Sequence, residues 1–252
     1  HDLGLRVMID RVLNHSSDRH PAFAASRKDR VNPKADWYIW RDPRPDGTAP
    51  NNWLSVFGGP AWTWDARRKQ YYMHSFLAQQ PEWNLRNPKV QDYMESVLRF
   101  WLDRGVDGFR LDTVNYFFKD AQFRDDAADY RVKPVAEGNP YGMQYHLFSK
   151  NQPENLAWLE RIRAVMNGYP GTATVVEVGE SHHAIAIMGQ YTAPGRLHQC
   201  YSFELMGNDF SAAFFRARIE EFFKGAPDGW PMWAFSNHDV MRHVSRWAAH
   251  GI

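Results

Sequence analysis

The sequence predicts an α/β fold, a (β/α)8 TIM barrel that this chain contains only in part. Short apolar runs alternate with amphipathic helical segments along the 252 residues, which favours a parallel sheet with helices outside it. Acidic residues follow several of these runs, and in a barrel the side chains that follow the strands converge on one face. A doubly wound open sheet also has its sites at this edge, but it favours a glycine-rich phosphate loop, and none follows the first apolar run.

The first predicted strand is the apolar run at residues 5–10. Residues 16–86 lack steady periodicity and are rich in Pro, Gly, Asn and Trp, so we interpret them as an inserted subdomain. A helix follows, with Asn87 as its N-cap, Pro88 in its first turn and Gly105 at its end. Its apolar positions repeat at helical spacing: Val90, Met94, Val97, Leu98 and Trp101.

The second half of the chain continues the alternation after a second irregular stretch at residues 116–150, which is too long for an ordinary connection. The remaining predicted strands are residues 106–111, 173–178, 197–203 and 232–235. The remaining predicted helices are residues 153–167 and 209–223. The five strands correspond to about strands three to seven of a barrel, with the subdomain inserted after the third.

The predicted organisation is therefore a barrel at residues 1–15 and 87–252, interrupted by an inserted domain at residues 16–86. The two ends look cut, because the chain begins at the end of a helix and stops just after its last polar segment. A five-stranded piece exposes two sheet edges and an unfilled barrel interior. We expect the isolated chain to fold poorly or to aggregate, and a sharp, cooperative melt would contradict this.

Composition and charge exclude several classes of partner. The net charge is +1 with interspersed signs, which argues against nucleic acid, and no apolar run reaches the ~20 residues of a membrane span. Cys200 is the single cysteine, so an internal disulfide is excluded. Aromatic residues make up 15 % of the chain, with 11 Trp. They suit stacking on sugar rings, and they equally suit the core of an aromatic-rich domain.

Arg110 and Asp112 lie two positions apart in a predicted strand, so their side chains point the same way. A guanidinium beside a carboxylate keeps the carboxylate ionised. An ionised carboxylate is what a nucleophile at an anomeric carbon requires. The alternative is a structural ion pair inside a barrel, and the spacing alone does not decide between the two.

Glu180 follows the Val-rich run at residues 173–178 and is the candidate proton donor. A general acid must be protonated near neutral pH, so its site has to raise its pKa. Glu177 is the rival candidate. Because it lies three positions earlier within the run, we expect it on the opposite face, packed or paired structurally.

The last polar segment supplies Asn237, His238 and Asp239 after the final predicted strand. A third carboxylate can hold sugar hydroxyls and stabilise positive charge on the ring, and a His can donate to the sugar or to a carboxylate. The alternative is a helix N-cap at Ser236 or Asn237. A similar polar group follows the first strand, at Asp10, Asn14 and His15, and it could equally serve to fasten the loop. A metal cluster is disfavoured because the usual paired-His spacing is absent.

Together these segments resemble the conserved regions of the α-amylase superfamily, glycoside hydrolase family thirteen. Residues 10–15, 108–112, 178–180 and 236–239 are similar to its first four regions. Residues 80–84, Gln-Pro-Glu-Trp-Asn, are similar to the region typical of its α-glucosidase and oligo-1,6-glucosidase branch, where Gln-Pro-Asp-Leu-Asn is commoner.

The resemblance implies a role for each site residue. Asp112 would be the nucleophile, Glu180 the acid/base and Asp239 the transition-state stabiliser. Substrate would be bound by further side chains, namely His15, Arg110, His238 and Thr113. Support of the site would come from Asp10, Asn14 and Asn237. Because branch members that act on α-1,4 links have a small or small polar residue where this chain has Thr113, and those acting on α-1,6 links tend to have Val, we predict maltose over isomaltose.

The resemblance further implies a retaining, exo-acting α-glucosidase that releases glucose from short α-1,4-linked oligosaccharides, with transglucosylation as a side activity. An oligo-1,6-glucosidase or a sucrose-acting relative is the alternative within this chemistry. A non-catalytic scaffold or binding subunit is the alternative from another class. No cofactor is expected, no metal is assigned to these residues, and the family's structural Ca or Mg site would lie in a segment that this chain lacks.

Overall fold

The computed structural model describes residues 1–130, 139–180 and 182–248. The chain forms two compact units, which are described separately below. The first comprises His1–Arg11, Leu98–Val114 and Leu156–Ile252, and the second comprises Val12–Val97 and Asn115–Asn155. The second unit contains all of the predicted insertion at residues 16–86, and it also contains the second irregular stretch at residues 116–150.

The described strands, labelled β1 to β9, are Met8–Arg11, Trp40–Arg41, Trp62–Asp65, Gln70–Met73, Gly108–Leu111, Ala127–Ala128, Gln144–Tyr145, Ala173–Val178 and Gln199–Ser202. The described α-helices, α1 to α6, are Pro21–Ser26, Pro88–Leu102, Asn155–Asn167, Ala184–Tyr191, Ala212–Gly225 and His243–Ala248. The three predicted helices correspond to α2, α3 and α5.

The sheet of the first unit is parallel, with the strand order β1-β5-β8-β9. Gly108 sits opposite Met8 on one side and Ala173 on the other, so the strands start and end nearly level. Their carboxyl ends therefore meet at one edge. This confirms the parallel sheet, and it places Asp112 and Glu180 just beyond neighbouring strand ends.

The predicted fifth strand at residues 232–235 is wrong for the described structure. This segment makes only an isolated parallel bridge, between Cys200 and Pro231. The amide of Cys200 donates to the carbonyl of Trp230 at 3.3 Å and the amide of Met232 donates to the carbonyl of Cys200 at 2.8 Å, and among the described residues the pairing goes no further along this segment. An apolar run predicts a strand from composition alone, whereas a strand of a sheet needs successive hydrogen bonds to its neighbour.

Helix α2 begins and ends where its sequence predicts. The Asn87 side chain accepts a hydrogen bond from the Lys89 amide at 3.0 Å, as an N-cap does. Gly105, just beyond the helix, has φ +86°, a conformation that glycine adopts without strain. The predicted apolar positions Val90, Met94 and Leu98 are buried.

Gly108 is required by the close approach of β5 to β8. A Cβ atom at this position would lie 2.0 Å from the carbonyl oxygen of Ala173. We therefore expect Gly108→Ala to force the two strands apart and to lower the free energy of unfolding by about 2 kcal/mol or more. Thermal unfolding of the protein made from its complete gene measures this. Gly207→Ala is the matched control, because nothing lies within 4 Å of its added Cβ; equal melting temperatures would contradict the prediction.

The second unit is built on a small antiparallel sheet with the order β2-β4-β3. Trp53, Trp62 and Met73 form its buried cluster, and Trp53 stacks on Trp62 with the ring centroids 6.2 Å apart. Trp40 and Trp83 of the same unit are buried as well. These aromatic residues are therefore core residues, the second of the two interpretations that the composition allowed.

A buried ion pair lies in the second unit. Lys119 Nζ is 3.0 Å from Glu82 Oε2, and both side chains are almost fully buried, 2 % and 1 % exposed. Glu82 also accepts the Ser75 amide at 2.7 Å, and Lys119 donates to the Tyr116 carbonyl at 2.6 Å. Burial lowers the pKa of Lys119, while Glu82 acts in the opposite direction.

Across the described parts of the chain, none of the helices combines the length and apolar character that a bilayer crossing demands.

Candidate active site

The polar residues of the first unit gather where its parallel strands end. Asp10 lies in β1, Arg110 in β5, Glu177 in β8 and Tyr201 in β9. Asp112 comes directly after β5. Strand register explains the grouping, because Arg110 is opposite Asp10 and Tyr201 is opposite Glu177.

Arg110 is the centre of this group. Its Nη1 donates to Asp112 Oδ1 at 2.5 Å and to Asp10 Oδ2 at 2.8 Å. Its Nη2 forms an ion pair with Glu177. Burial acts to lower the pKa of Arg110, but Tyr201, Asp112 and Asp10 together raise it above its usual value. The guanidinium therefore stays charged, and the prediction that Arg110 and Asp112 share one face of the strand is confirmed.

Tyr201 is a member of this group that sequence reasoning missed. Its hydroxyl donates to Glu177 Oε2 at 2.6 Å and accepts from Arg110 Nη2 at 3.0 Å. Burial raises the pKa of Tyr201, against the opposing effects of Arg110 and of a hydrogen bond with Asn237. The sequence predicts a strand that contains Tyr201, but only the pairing register brings it opposite Glu177.

Glu177 is buried and ion-paired, as its place inside the apolar run predicts. Glu180 is half-buried, two residues beyond the end of β8. One of its carboxylate oxygens accepts the amide of His182 at 3.0 Å. The two acids therefore differ in position: Glu177 lies within strand β8, and Glu180 lies beyond the end of that strand.

Thr113 follows Asp112 in an uncommon backbone conformation. Its φ is +45°, in the left-handed region that disfavours β-branched residues. The side chain is buried, and its hydroxyl donates to Asp112 Oδ2 at 3.3 Å. Asp112 is thus contacted on one oxygen by Arg110 and on the other by Thr113.

The last polar segment is held by its own hydrogen bonds. Asn237 Oδ1 accepts the Asp239 amide at 2.9 Å, and Asn237 Nδ2 donates to Asp239 Oδ2 at 3.2 Å. His238 Nε2 lies 3.6 Å from Asp239 Oδ1, and both side chains are exposed. Helix α6 begins at His243, so neither Ser236 nor Asn237 is its N-cap residue, although the Ser236 hydroxyl accepts the His243 amide at 2.7 Å. The N-cap alternative is therefore wrong, and the exposed Asp239 faces solvent.

Asn14 and His15 belong to the second unit. His15 Nδ1 is 3.3 Å from Asn14 Nδ2, and His15 Nε2 is 3.0 Å from Gln80 Nε2. The His15 ring also lies beside Phe76, at a centroid distance of 5.4 Å. Gln80 belongs to the Gln-Pro-Glu-Trp-Asn segment, and the sequence carried no signal that it contacts His15.

Among residues 1–130, 139–180 and 182–248, no cluster of three or more His, Cys, Asp or Glu side chains has an arrangement suited to a metal ion. The expectation that the reaction needs no cofactor stays a prediction.

Comparison with known proteins gives one consistent result. The family described as "Alpha amylase, catalytic domain" matches residues 1–251. The chain is 55 % identical over 254 residues to a probable α-glucosidase of Rhizobium meliloti (strain 1021), covering 98 % of this chain and 46 % of that protein. It is 35 % identical over 266 residues to an oligo-1,6-glucosidase of Heyndrickxia coagulans, covering 98 % and 46 %. The chain spans about half the length of the curated relatives it matches.

Solved structures agree. The chain superposes on a crystal structure of an α-glucosyl transfer enzyme with a TM-score of 0.94 at 54 % identity, covering 98 % of this chain and 47 % of that one. A trehalose-6-phosphate hydrolase of Bacillus licheniformis gives a TM-score of 0.83 at 30 % identity, covering 100 % and 45 %.

Proposed function

This chain belongs to the α-amylase catalytic-domain family, and from that premise we propose that it carries the active site of a retaining, exo-acting α-glucosidase. The predicted (β/α)8 fold class is confirmed by the family match and by the likeness to solved structures, and the described sheet supplies four of the parallel strands. The observation that carries the proposal is the contact between Arg110 and Asp112 at the end of β5, 2.5 Å.

In the proposed reaction, a carboxylate oxygen of Asp112 attacks the anomeric carbon of the terminal glucose. The bond to the leaving sugar breaks as Glu180 gives its proton to the departing oxygen. The product of this step is a covalent glucosyl–Asp112 ester. Glu180, now ionised, then takes a proton from water, and that water displaces Asp112 with a second inversion, so the configuration is retained.

The remaining polar residues are assigned to stabilising the charge on the sugar ring, to binding the substrate or to supporting the site. Asp239 would stabilise the positive charge that develops on the sugar ring, and its exposed carboxylate is open to a ligand. Arg110, His15 and His238 would bind the substrate or hold the acids, and Asp10, Asn14 and Asn237 would support them. The only partner proposed is a short oligosaccharide.

Thr113 supports a preference for α-1,4 over α-1,6 links, while the relatives include both α-glucosidases and oligo-1,6-glucosidases. Its hydroxyl lies beside the proposed nucleophile, where it also contacts the bound sugar in this proposal. We expect glucose release from maltose to exceed release from isomaltose by about 10-fold or more, the range that one small pocket contact provides.

The measurement compares both disaccharides with the protein made from its complete gene, and with Thr113→Val as the matched variant. The variant is expected to move the ratio toward isomaltose. Faster release from isomaltose by the wild-type protein would overturn the assignment of Thr113.

Glucosyl transfer is a second candidate function, favoured by the likeness to an α-glucosyl transfer enzyme at 54 % identity. An acceptor sugar would replace water in the second step and give its proton to Glu180. Analysis of the products formed at high maltose concentration tests this, because transfer yields trisaccharides whereas hydrolysis yields only glucose.

A further inference from the structure

The five N–H donors of the Arg110 guanidinium are divided between two sides. The Nη1 atom faces Asp112 and Asp10. The Nε and Nη2 atoms face the other side, where both donate to the Tyr201 hydroxyl, at 3.3 and 3.0 Å, and Nη2 also contacts Glu177. One side of the guanidinium is thus bonded to the proposed nucleophile, and the other to two residues outside the proposed chemistry.

We propose that Glu177 and Tyr201 form a buried clamp that fixes the orientation of Arg110 and, through it, of the Asp112 carboxylate. This inference rests on the proposed role of Asp112 as the nucleophile. Glu177 and Tyr201 act through Arg110, so they are positioning residues.

Burial and register give the clamp its rigidity. The side chain of Glu177 is 4 % exposed, and Tyr201 is buried. The two residues sit opposite each other on β8 and β9 and are joined directly by the hydroxyl hydrogen bond of 2.6 Å. A planar guanidinium held on its Nε and Nη2 atoms cannot turn without breaking these bonds. Its Nη1 atom therefore points at Asp112 in one direction only.

The orientation matters because the attack has strict geometry. A displacement of about 1 Å at a reacting group can reduce the rate about 100-fold. Replacing Tyr201 by Phe removes the hydroxyl that accepts from Arg110 Nε and Nη2 and donates to Glu177, so that Nη2 keeps only its contact with Glu177 on this side. We expect kcat to fall about 10- to 100-fold. KM should change less than about 3-fold, since Tyr201 does not touch the substrate.

The charge of the clamp provides an independent test. Arg110 is shared by three carboxylates: Asp10 on β1, Asp112 after β5 and Glu177 on β8, with the neutral Tyr201 on β9 beside them. Glu177→Gln keeps the size and an acceptor oxygen but removes one negative charge. Arg110 should then favour the ionised form of Asp112 more strongly. The acidic limb of kcat/KM against pH is expected to move down by about 0.5 to 1 pH unit.

The experiment measures kcat, KM and the pH profile on 4-nitrophenyl α-glucoside for the wild-type protein and both variants, made from the complete gene. Tyr191→Phe is the matched control, since it removes another buried tyrosine hydroxyl of the same unit, on α4. The clamp is supported by a selective loss of kcat in Tyr201→Phe together with the downward limb shift in Glu177→Gln.

A Tyr201→Phe variant with unchanged kcat, or one that loses no more than Tyr191→Phe, would overturn the clamp, as would an unmoved acidic limb in Glu177→Gln. If the folded wild-type protein were inactive on every α-glucoside, the proposed function itself would fall and the clamp with it. If only the clamp is wrong, the wild-type protein is active, whereas if the proposed function is wrong, the wild-type protein is inactive. The two failures are therefore distinguishable.

Discussion

Replacing Asp112 by Asn is expected to lower kcat/KM on 4-nitrophenyl α-glucoside by at least about 1000-fold, which corresponds to about 4 kcal/mol. Asn keeps the size of the side chain and an oxygen that can accept from Arg110. It cannot form the glucosyl ester, so the first chemical step is lost. Because the hydrogen bond to Arg110 is retained, the variant should melt within a few degrees of the wild-type protein.

The matched control is Asp107→Asn, the same change five positions earlier in the chain. Asp107 pairs with Arg6 and accepts the Val7 amide at 2.7 Å, away from the group around Arg110. Trapping with a 5-fluoro glucosyl fluoride adds a direct readout, since the label should appear on the peptide that contains Asp112. Full activity in Asp112→Asn, or a label on another residue, would contradict the assignment. A protein that keeps a binding partner but shows no activity in either form would instead be a scaffold.

Replacing Lys119 by Met is expected to lower the free energy of unfolding by about 3–5 kcal/mol. Met has a similar length but no charge, so the buried Glu82 would lose its cationic partner and keep the Ser75 amide as a hydrogen-bond donor. Urea unfolding followed by circular dichroism measures the loss. Changing Glu82 to Met in the same protein should recover part of it, because removing both charges avoids the unpaired one.

Arg44→Met is the matched control in the same unit. Its guanidinium pairs with Asp125 at 3.0 Å, but both side chains are about half exposed. Exposed pairs of this kind contribute less than about 1 kcal/mol. A Lys119→Met variant that lost no more than Arg44→Met would show that the buried pair is solvated or dispensable.

The regular elements were predictable because their signals are local. The cap at Asn87 and the apolar spacing of Val90, Met94 and Leu98 define α2 from the sequence alone. The parallel strands were predictable for the same reason, since an apolar run followed by polar residues needs no knowledge of distant contacts. The strands of the second unit are only two to four residues long, too short to show a period.

Contacts that depend on the pairing of distant segments were not predictable from the sequence. Residues 232–235 have the apolar character of a strand, yet pairing stops at Pro231. The contact between Arg110 and Asp112 followed from a spacing of two, whereas the contact of Tyr201 with Arg110 spans 91 positions and depends on strand order. Helix α4 was not predicted, and the side chain of its N-cap residue, His183, makes no capping hydrogen bond.

The left-handed backbone conformation of Thr113 predicts how this position changes in evolution. A β-branched residue at φ +45° stores a strain of about 1–3 kcal/mol, and a Gly or Asn there would relieve most of it. Selection tolerates such strain only while the side chain is needed. A duplicated gene released from its catalytic duty should therefore drift toward Gly or Asn at this codon early, before its three acidic residues are lost.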